Sequence, residues 1–414
     1  MADRIRPPRH SKADSFSVPF LQKNKEPRLI KSLKTRFIYG TPHFAILAND
    51  PAMTAAREVG EILHKSIPDN LGTFGNAEHK VIVPQDKVQT RDVYVFQTTD
   101  DNPDSNLRQA KLLAIGAKGA GANRIYNFCL NLAYGRQDRV IIPGEPDSAR
   151  NVSQEILDAG SHNYRKKRHE SALKADASLL VVDVHSETPL RVINRDSHYE
   201  WINLSSDSVV IPAIQQLIET HGLDPVMAFP DETAKKRYGY YAEIFSKGIE
   251  SSVTVKKLRP PEKKNEVELA PEQEDFAEKV AGMDVIIRDD IFDTGRTAIQ
   301  ACKAFIEAGA RSVRVVATHG VLSGNAAENI QSPYLTELII TDTIPLRNEF
   351  VGNPKITVVK IAPLLAETMR RIEAREPLGE LAKGMSPGFE KSYMKWRKIN
   401  KYRRRGRKNH EEAA

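Results

Sequence analysis

The stretch Asp284-Val-Ile-Ile-Arg-Asp-Asp-Ile-Phe-Asp-Thr-Gly-Arg-Thr297 decides the fold, because it passes from a buried strand through an acidic turn and a glycine loop into a helix. Asp284 to Ile287 is a short apolar run of the kind found in parallel sheets, and two adjacent carboxylates, Asp289 and Asp290, follow it. In open α/β sheets ligands bind beyond the carboxyl ends of the strands, and a pair of anionic acceptors there suits vicinal hydroxyls, as on a ribose. In Asp293-Thr-Gly-Arg-Thr297, Gly295 permits a tight turn, after which the backbone N–H groups of a helix start favour a phosphate. The hydroxyls of Thr294 and Thr297 add donors. The helix that follows gathers Ala298, Ile299, Cys302, Phe305 and Ile306 on one face and stops at Gly309. The plainer alternative is a polar turn whose acids only cap that helix.

The same order of elements occurs earlier in the chain. Asp92-Val-Tyr-Val-Phe-Gln97, a helix through Leu107 to Ala117, and Gly121-Ala-Asn-Arg-Ile-Tyr126 parallel the strand at Asp284, its helix, and Gly309-Ala-Arg-Ser-Val-Arg314. This reads as an internal duplication in which only the second copy carries the double acid and the Asp-Thr-Gly loop.

Further polar stretches punctuate the two copies: Phe74-Gly-Asn-Ala-Glu78, Tyr134-Gly-Arg-Gln-Asp-Arg139, Leu179-Leu-Val-Val-Asp-Val-His-Ser-Glu187, Phe229-Pro-Asp231 and Val253-Thr-Val-Lys-Lys-Leu-Arg-Pro260. Two more follow the helix, Ala317-Thr-His-Gly-Val-Leu-Ser-Gly-Asn-Ala-Ala-Glu-Asn329 and Thr341-Asp-Thr-Ile-Pro-Leu346. Singly, each has an ordinary reading: an aromatic and an acid in a hairpin, a surface turn, a structural histidine, a solvated basic strand end. Strand alternation puts Lys257 and Arg259 on one side, as two cations clasping one polyphosphate require.

In this order, over about Phe44 to Ile372, the motifs resemble the ribose-phosphate pyrophosphokinase family, which makes phosphoribosyl pyrophosphate from ribose 5-phosphate and ATP. The resemblance implies an α/β protein of two type I phosphoribosyltransferase-like domains, each a mostly parallel sheet flanked by helices, with the active site between them. It implies that Phe74, Asn76, Glu78, Arg136, Gln137 and Asp138 bind ATP, and that His185 and Asp231 hold Mg2+ with Asp183 in support. Ribose 5-phosphate would be bound by Asp289, Asp290, Asp293, Thr294, Gly295, Arg296 and Thr297, and Lys257 and Arg259 would be catalytic. A homo-oligomer, a hexamer or a smaller symmetric assembly, is implied too. Asn76 stands where the family's loop has an acid, and Glu232-Thr-Ala where it has glycines. A catalytically weak regulatory paralogue and a phosphoribosyltransferase are the other classes compatible with parts of the pattern.

The 414 residues, 40% of them hydrophobic, suffice for ordinary cores. No apolar run approaches the ~18–20 residues of a membrane span, and no hydrophobic segment near the start resembles a secretory signal. Cys129 and Cys302 lie in apolar surroundings, as small buried hydrophobes of a reducing compartment do, so a cytoplasmic protein is expected. The net charge is +7, yet Lys391 to Lys408 carries ten Lys and Arg, opposed nearby by Glu411 and Glu412. The excess cations therefore belong to the tail, where Tyr393, Trp396 and Tyr402 would suit RNA, an acidic partner or a membrane surface; a solubilising tail is the simpler reading. The expected organisation is a polar arm over 1–40, a nucleotide-side domain over 41–190, a sugar-side domain over 191–375 and a basic tail over 376–414. Pro261 to Asp275 is expected to form a charged, mobile lid.

Overall fold

The structure is a computed structural model that describes residues 44–69, 71–161, 177–196, 200–258, 268–271 and 275–385. In chain order the strands are β1 (Phe44–Ala48), β2 (Leu71–Thr73), β3 (His79–Val81), β4 (Asp92–Gln97), β5 (Arg124–Cys129), β6 (Ala177–Val182), β7 (Glu200–Leu204) and β8 (Pro225–Phe229). There follow β9 (Val253–Leu258), β10 (Glu268–Pro271), β11 (Asp284–Phe292), β12 (Ser312–Gly320), β13 (Glu337–Thr341), β14 (Ile356–Val359) and β15 (Ala382–Met385). They build two sheets, ordered β1-β4-β5-β6-β7-β15 and β10-β9-β8-β11-β12-β13-β14, and a β2–β3 hairpin. Within the sheets pairing is parallel except where β15 meets β7 and β10 meets β9. The helices that bear on function are α1 (Met53–Leu63), α2 (Pro103–Gly119), α3 (Ser148–Gly160), α4 (Asp207–His221), α5 (Glu232–Tyr238), α6 (Arg296–Glu307) and α7 (Ala362–Ala374). Every residue of β6 is buried, as a central parallel strand covered on both faces must be.

The duplication extends to individual hydrogen bonds. After α2 the chain turns at Gly121 (φ 86°), and Ala122 N–H returns to Ala117 O. After α6 it turns at Gly309 (φ 93°), and Ala310 N–H returns to Phe305 O. Both glycines adopt the left-handed conformation that ends a helix cheaply only without a Cβ. The α2 helix starts earlier than its apolar run, because Pro103 suits a first helical turn where no N–H partner is needed.

The sheets do not divide at residue 190. β7 belongs to the first sheet, and after completing the second the chain returns: α7 packs into the first core through Leu364, Leu365 and Met369, and β15 adds a sixth strand. The stretch expected to open the basic tail at 376 is therefore built into the fold as far as Met385. Sequence periodicity reports which face of an element is apolar but not which of two similar sheets receives it. Within the expected lid, residues 268–271 form β10 beside β9. Arg259, most of the rest of that segment, the arm and the tail beyond 385 lie outside the described residues.

β11 is anchored at its root by charge. The Asp284 carboxylate accepts from Asp224 N–H (3.0 Å), Arg311 Nε (3.2 Å) and Ser312 Oγ (2.5 Å). Burial by itself would raise its pKa, but Arg311, Ser312 and the Asp224 N–H hold it down to about 2 against an ordinary 3.8. A depressed carboxylate stabilises the fold above its unfolded pKa and loses that contribution as pH falls through the folded one. Acid unfolding of the wild type should therefore steepen between 3.8 and about 2, and Asp284→Asn should flatten that part of the curve in circular dichroism.

Candidate active site

The carboxyl end of β8 forms a notch. β8 pairs with β11 only as far as Ala228↔Ile287 and with β9 as far as Phe229↔Thr254, while β11 continues to Phe292 and β9 to Leu258. The double acid lies on this overrun, inside the strand rather than after it as expected, because β12 continues to pair with β11 through Asp289↔Ala317 and beyond. Lys257 lies on the facing overrun of β9, opposite Leu269; its side chain is outside the described residues. Asp231 follows β8 at the base of the notch and caps α5 by accepting from Ala234 N–H at 2.9 Å. Where glycines were expected, Glu232-Thr-Ala thus becomes the first turn of a capped helix.

The first sheet presents His185, just beyond β6, to the same place. Its Nδ1 is 2.7 Å from Asp290 Oδ2, which also accepts from Arg237 at 2.5 Å, and Arg237 donates as well to the His185 carbonyl. Burial would raise the Asp290 pKa, but the His185 hydrogen bond and the Arg237 charge hold it well below the usual carboxylate range. Asp289 is pushed well above that range by burial and by the neighbouring Asp290 charge. Two adjacent acids thereby differ, one held anionic and one disfavoured as an anion. His319 clamps the seam beside them: Nε2 lies 3.1 Å from Val182 O, so it carries the proton, and Nδ1 faces the Thr343 hydroxyl at 2.9 Å.

At the loop after β11, Gly295 has φ 78°, and a Cβ there would lie 2.5 Å from the Phe292 ring, so only glycine fits. Thr294 and Arg296 are exposed and Thr297 is half-buried at the start of α6. Asp293 accepts from Ser323 Oγ and from Arg136 Nη1, the latter at 2.5 Å, which ties the Arg-Gln-Asp turn of the first sheet to the glycine loop of the second. Between these elements is a cleft of about 220 Å³, lined among others by Asn131, Tyr134, Arg136, His185, Ile291 and His319.

Residues 45–160 match the N-terminal domain of ribose phosphate pyrophosphokinase, and residues 249–383 match the phosphoribosyl synthetase-associated domain. A ribose-phosphate pyrophosphokinase of Caldanaerobacter subterraneus is 30% identical over 325 residues, 77% of this chain and 90% of that protein. The chain belongs to the ribose-phosphate pyrophosphokinase family. A second member, from Helicobacter hepaticus, is 29% identical over 345 residues, 82% of this chain and 98% of the relative. The fold is similar to that of phosphoribosylpyrophosphate synthetase from Mycobacterium smegmatis, with a TM-score of 0.64 at 24% identity, covering 80% of this chain and 98% of that one.

Other residues singled out by the family motifs are spread more widely. Phe74, Asn76 and Glu78 sit on the exposed β2–β3 turn, where Asn76 Oδ1 accepts from Glu78 N–H at 3.2 Å and Lys80 Nζ stands 5.8 Å from the Phe74 ring centroid. Among the described residues, none of the polar or ring contacts of these three reaches the other site residues. Gln137 turns to the start of α3, accepting from Ser148 Oγ, and Asp138 neighbours Arg139 at 3.6 Å. Among the described residues no three His, Cys, Asp or Glu side chains are placed to close on one metal ion. Arg237, Arg288 and Ser323 were not singled out from the sequence. Arg288 had a visible signal, a cation set between the apolar run Val285 to Ile287 and the acid pair, and Ser323 lies in a quoted motif without pointing to Asp293, which is 30 residues away; Arg237 had none, its partner being 53 residues away.

Proposed function

We propose that this chain transfers the pyrophosphoryl group of ATP to the C1 oxygen of ribose 5-phosphate, giving phosphoribosyl pyrophosphate and AMP. The observation that carries the reading is the notch at β8, where the acids of β11 meet His185 from the other sheet and a glycine loop opens α6 one turn away. In this reading the loop from Asp293 to Thr297 binds the 5-phosphate, and Asp289 and Asp290 orient the ribose hydroxyls. The anomeric oxygen then attacks the β-phosphorus in line while AMP leaves. Lys257 and Arg259 bind the group in flight, so the catalysis is positioning plus electrostatics.

Mg2+ in nucleotide enzymes is commonly held by one or two carboxylates together with the substrate's own phosphates. Asp231, near enough to Asp289 for its charge to raise that group's pKa, and His185 fit this modest demand. When bound, Mg2+ would neutralise charge on the triphosphate. Arg237, fixed on Asp290, contributes a permanent positive charge alongside. Phe74, Asn76, Glu78, Arg136, Gln137 and Asp138 belong to the nucleotide side of the proposal. The exposure of Phe74 (52%) accords with a homo-oligomer in which the hairpin serves a neighbouring subunit. Among the described residues no helix is long and apolar enough to cross a membrane, and a cytoplasmic place of action is part of the same proposal.

The test is AMP formation from ATP and Mg2+, expected with ribose 5-phosphate and greatly reduced with ribose, which lacks the phosphate for the glycine loop. Equal rates with both sugars would refute the loop assignment. No AMP with ribose 5-phosphate would leave the regulatory paralogue as the better reading.

A further inference from the structure

Behind both arms of the site lies a cluster of buried charges that the proposed chemistry does not use. β6 ends at Asp183, whose backbone is left-handed (φ 41°), a conformation uncommon for a residue other than glycine. Asp183 N–H donates to Leu204 O at 2.9 Å and Val184 N–H to Asn203 Oδ1 at 3.1 Å, fastening this turn to β7. The Asp183 side chain is wholly buried. Its Oδ2 accepts from Ser206 Oγ and from Thr318 Oγ1, the latter at 2.7 Å, and stands 3.5 Å from Arg288. Its Oδ1 faces Lys383 Nζ at 2.9 Å, off the line of a hydrogen bond, so the contact is Coulombic.

Lys383 comes from β15, the last described strand, and its ammonium also lies 4.6 Å from the Tyr238 ring centroid and 3.9 Å from Asp207. Arg288 donates to the Asp289 carbonyl and to Thr318 Oγ1. The cluster thus stands directly behind two site residues: His185 is two positions beyond Asp183, and Asp289 is held by Arg288. In front of it His185 and Asp290 meet.

A buried carboxylate needs counter-charge, and a strained backbone conformation persists only where its surroundings hold it. Arg288 is the more distant cation and divides its donors among other partners, whereas Lys383 is the nearer one and belongs to neither arm. We propose that Lys383 is a positioning residue: the charge it brings from β15 pins Asp183, and through the turn at Asp183 it sets where His185 stands relative to Asp290. The inference rests on the assignment of His185 to the site, and its test reads the histidine separately from turnover.

The full chain is compared with Lys383→Met, Lys383→Gln and Lys383→Arg where each is folded. In Lys383→Met, turnover should fall on the order of ten- to a hundredfold, the scale of a small misplacement transmitted from a distance. KM for ribose 5-phosphate should stay within about twofold, because the glycine loop is carried by β11 and α6. Lys383→Arg, which keeps the charge, should recover most of the loss. In 15N-histidine-labelled protein without substrates, the His185 signal, assigned by its loss in His185→Gln, should move in Lys383→Met and lie near the wild-type position in Lys383→Arg. Lys383→Gln is read in the same way if the methionine variant does not fold. An unmoved His185 signal in a folded neutral variant overturns the proposal, as does turnover within about twofold of wild type. If the wild type forms no AMP, the proposed activity falls, while the histidine signal still decides the role of Lys383.

Discussion

Lys257→Ala is expected to lower turnover by on the order of 10²–10³ while ribose 5-phosphate affinity stays close to wild type. β9 overruns β8 beside Asp231, so the backbone of residue 257 lies at the notch, across from the acids on β11. A cation carried there on an extended strand serves the transferring group, on which negative charge accumulates as the bond to AMP breaks. The sugar phosphate, by contrast, is assigned to the loop between β11 and α6. Removing a preorganised donor from developing charge costs turnover, whereas removing a solvated surface lysine costs almost nothing, so the two readings differ by far more than assay error. Loss confined to turnover is the signature of an interaction made mainly in the transition state. AMP production and calorimetric binding of ribose 5-phosphate are the two measurements needed, and unchanged AMP production would remove Lys257 from the mechanism.

Arg288→Met should destabilise the protein by about 3–5 kcal/mol, the usual cost of leaving one half of a buried ion pair behind. The Arg288 side chain is fully buried against an equally buried Asp183, with its guanidinium carbon 4.0 Å from the Tyr238 ring centroid and 5.4 Å from that of Tyr241. Burial would raise the Asp183 pKa, yet Lys383, Arg288 and the hydroxyls of Ser206 and Thr318 hold it well below the ordinary range. Methionine fills much of the volume but supplies no charge, leaving Thr318 and the Asp289 carbonyl without their donor. Urea unfolding reads the difference. A loss below about 1 kcal/mol would mean that Lys383 alone balances Asp183 and that the arginine is expendable to the fold. Pairing the change with Asp183→Asn should cost less than the sum of the two single losses, since the two side chains share one buried cluster.

The resemblance in motif order was legible because each motif is local: strand periodicity, an acid pair, a glycine at a turn and a helix start all fall within one short stretch. Asp284 to Thr297 shows this, since Gly295 and the helix after it lie where the spacing put them. Local order also carried the duplication, down to glycines in the same conformation after α2 and α6. The length of β11 was not local information. Asp289 and Asp290 remain in a strand because β12 pairs with Asp289 and, past Asp290, with Ile291, and no residue of the stretch itself encodes that partner.

By itself the amino-acid sequence determined the family, the two-sheet α/β class and the order of acid pair, glycine loop and helix after the apolar run of β11, because these depend on residue type and short-range spacing. Tertiary structure alone decided that β7 and β15 belong to the first sheet and α7 to its core, that Arg237 sits on Asp290, and that Lys383 reaches Asp183. The physical reason is common to all three. Which strand edge a segment joins, and which buried charge a cation neutralises, depend on surfaces assembled from distant parts of the chain, and those surfaces exist only once both sheets have formed.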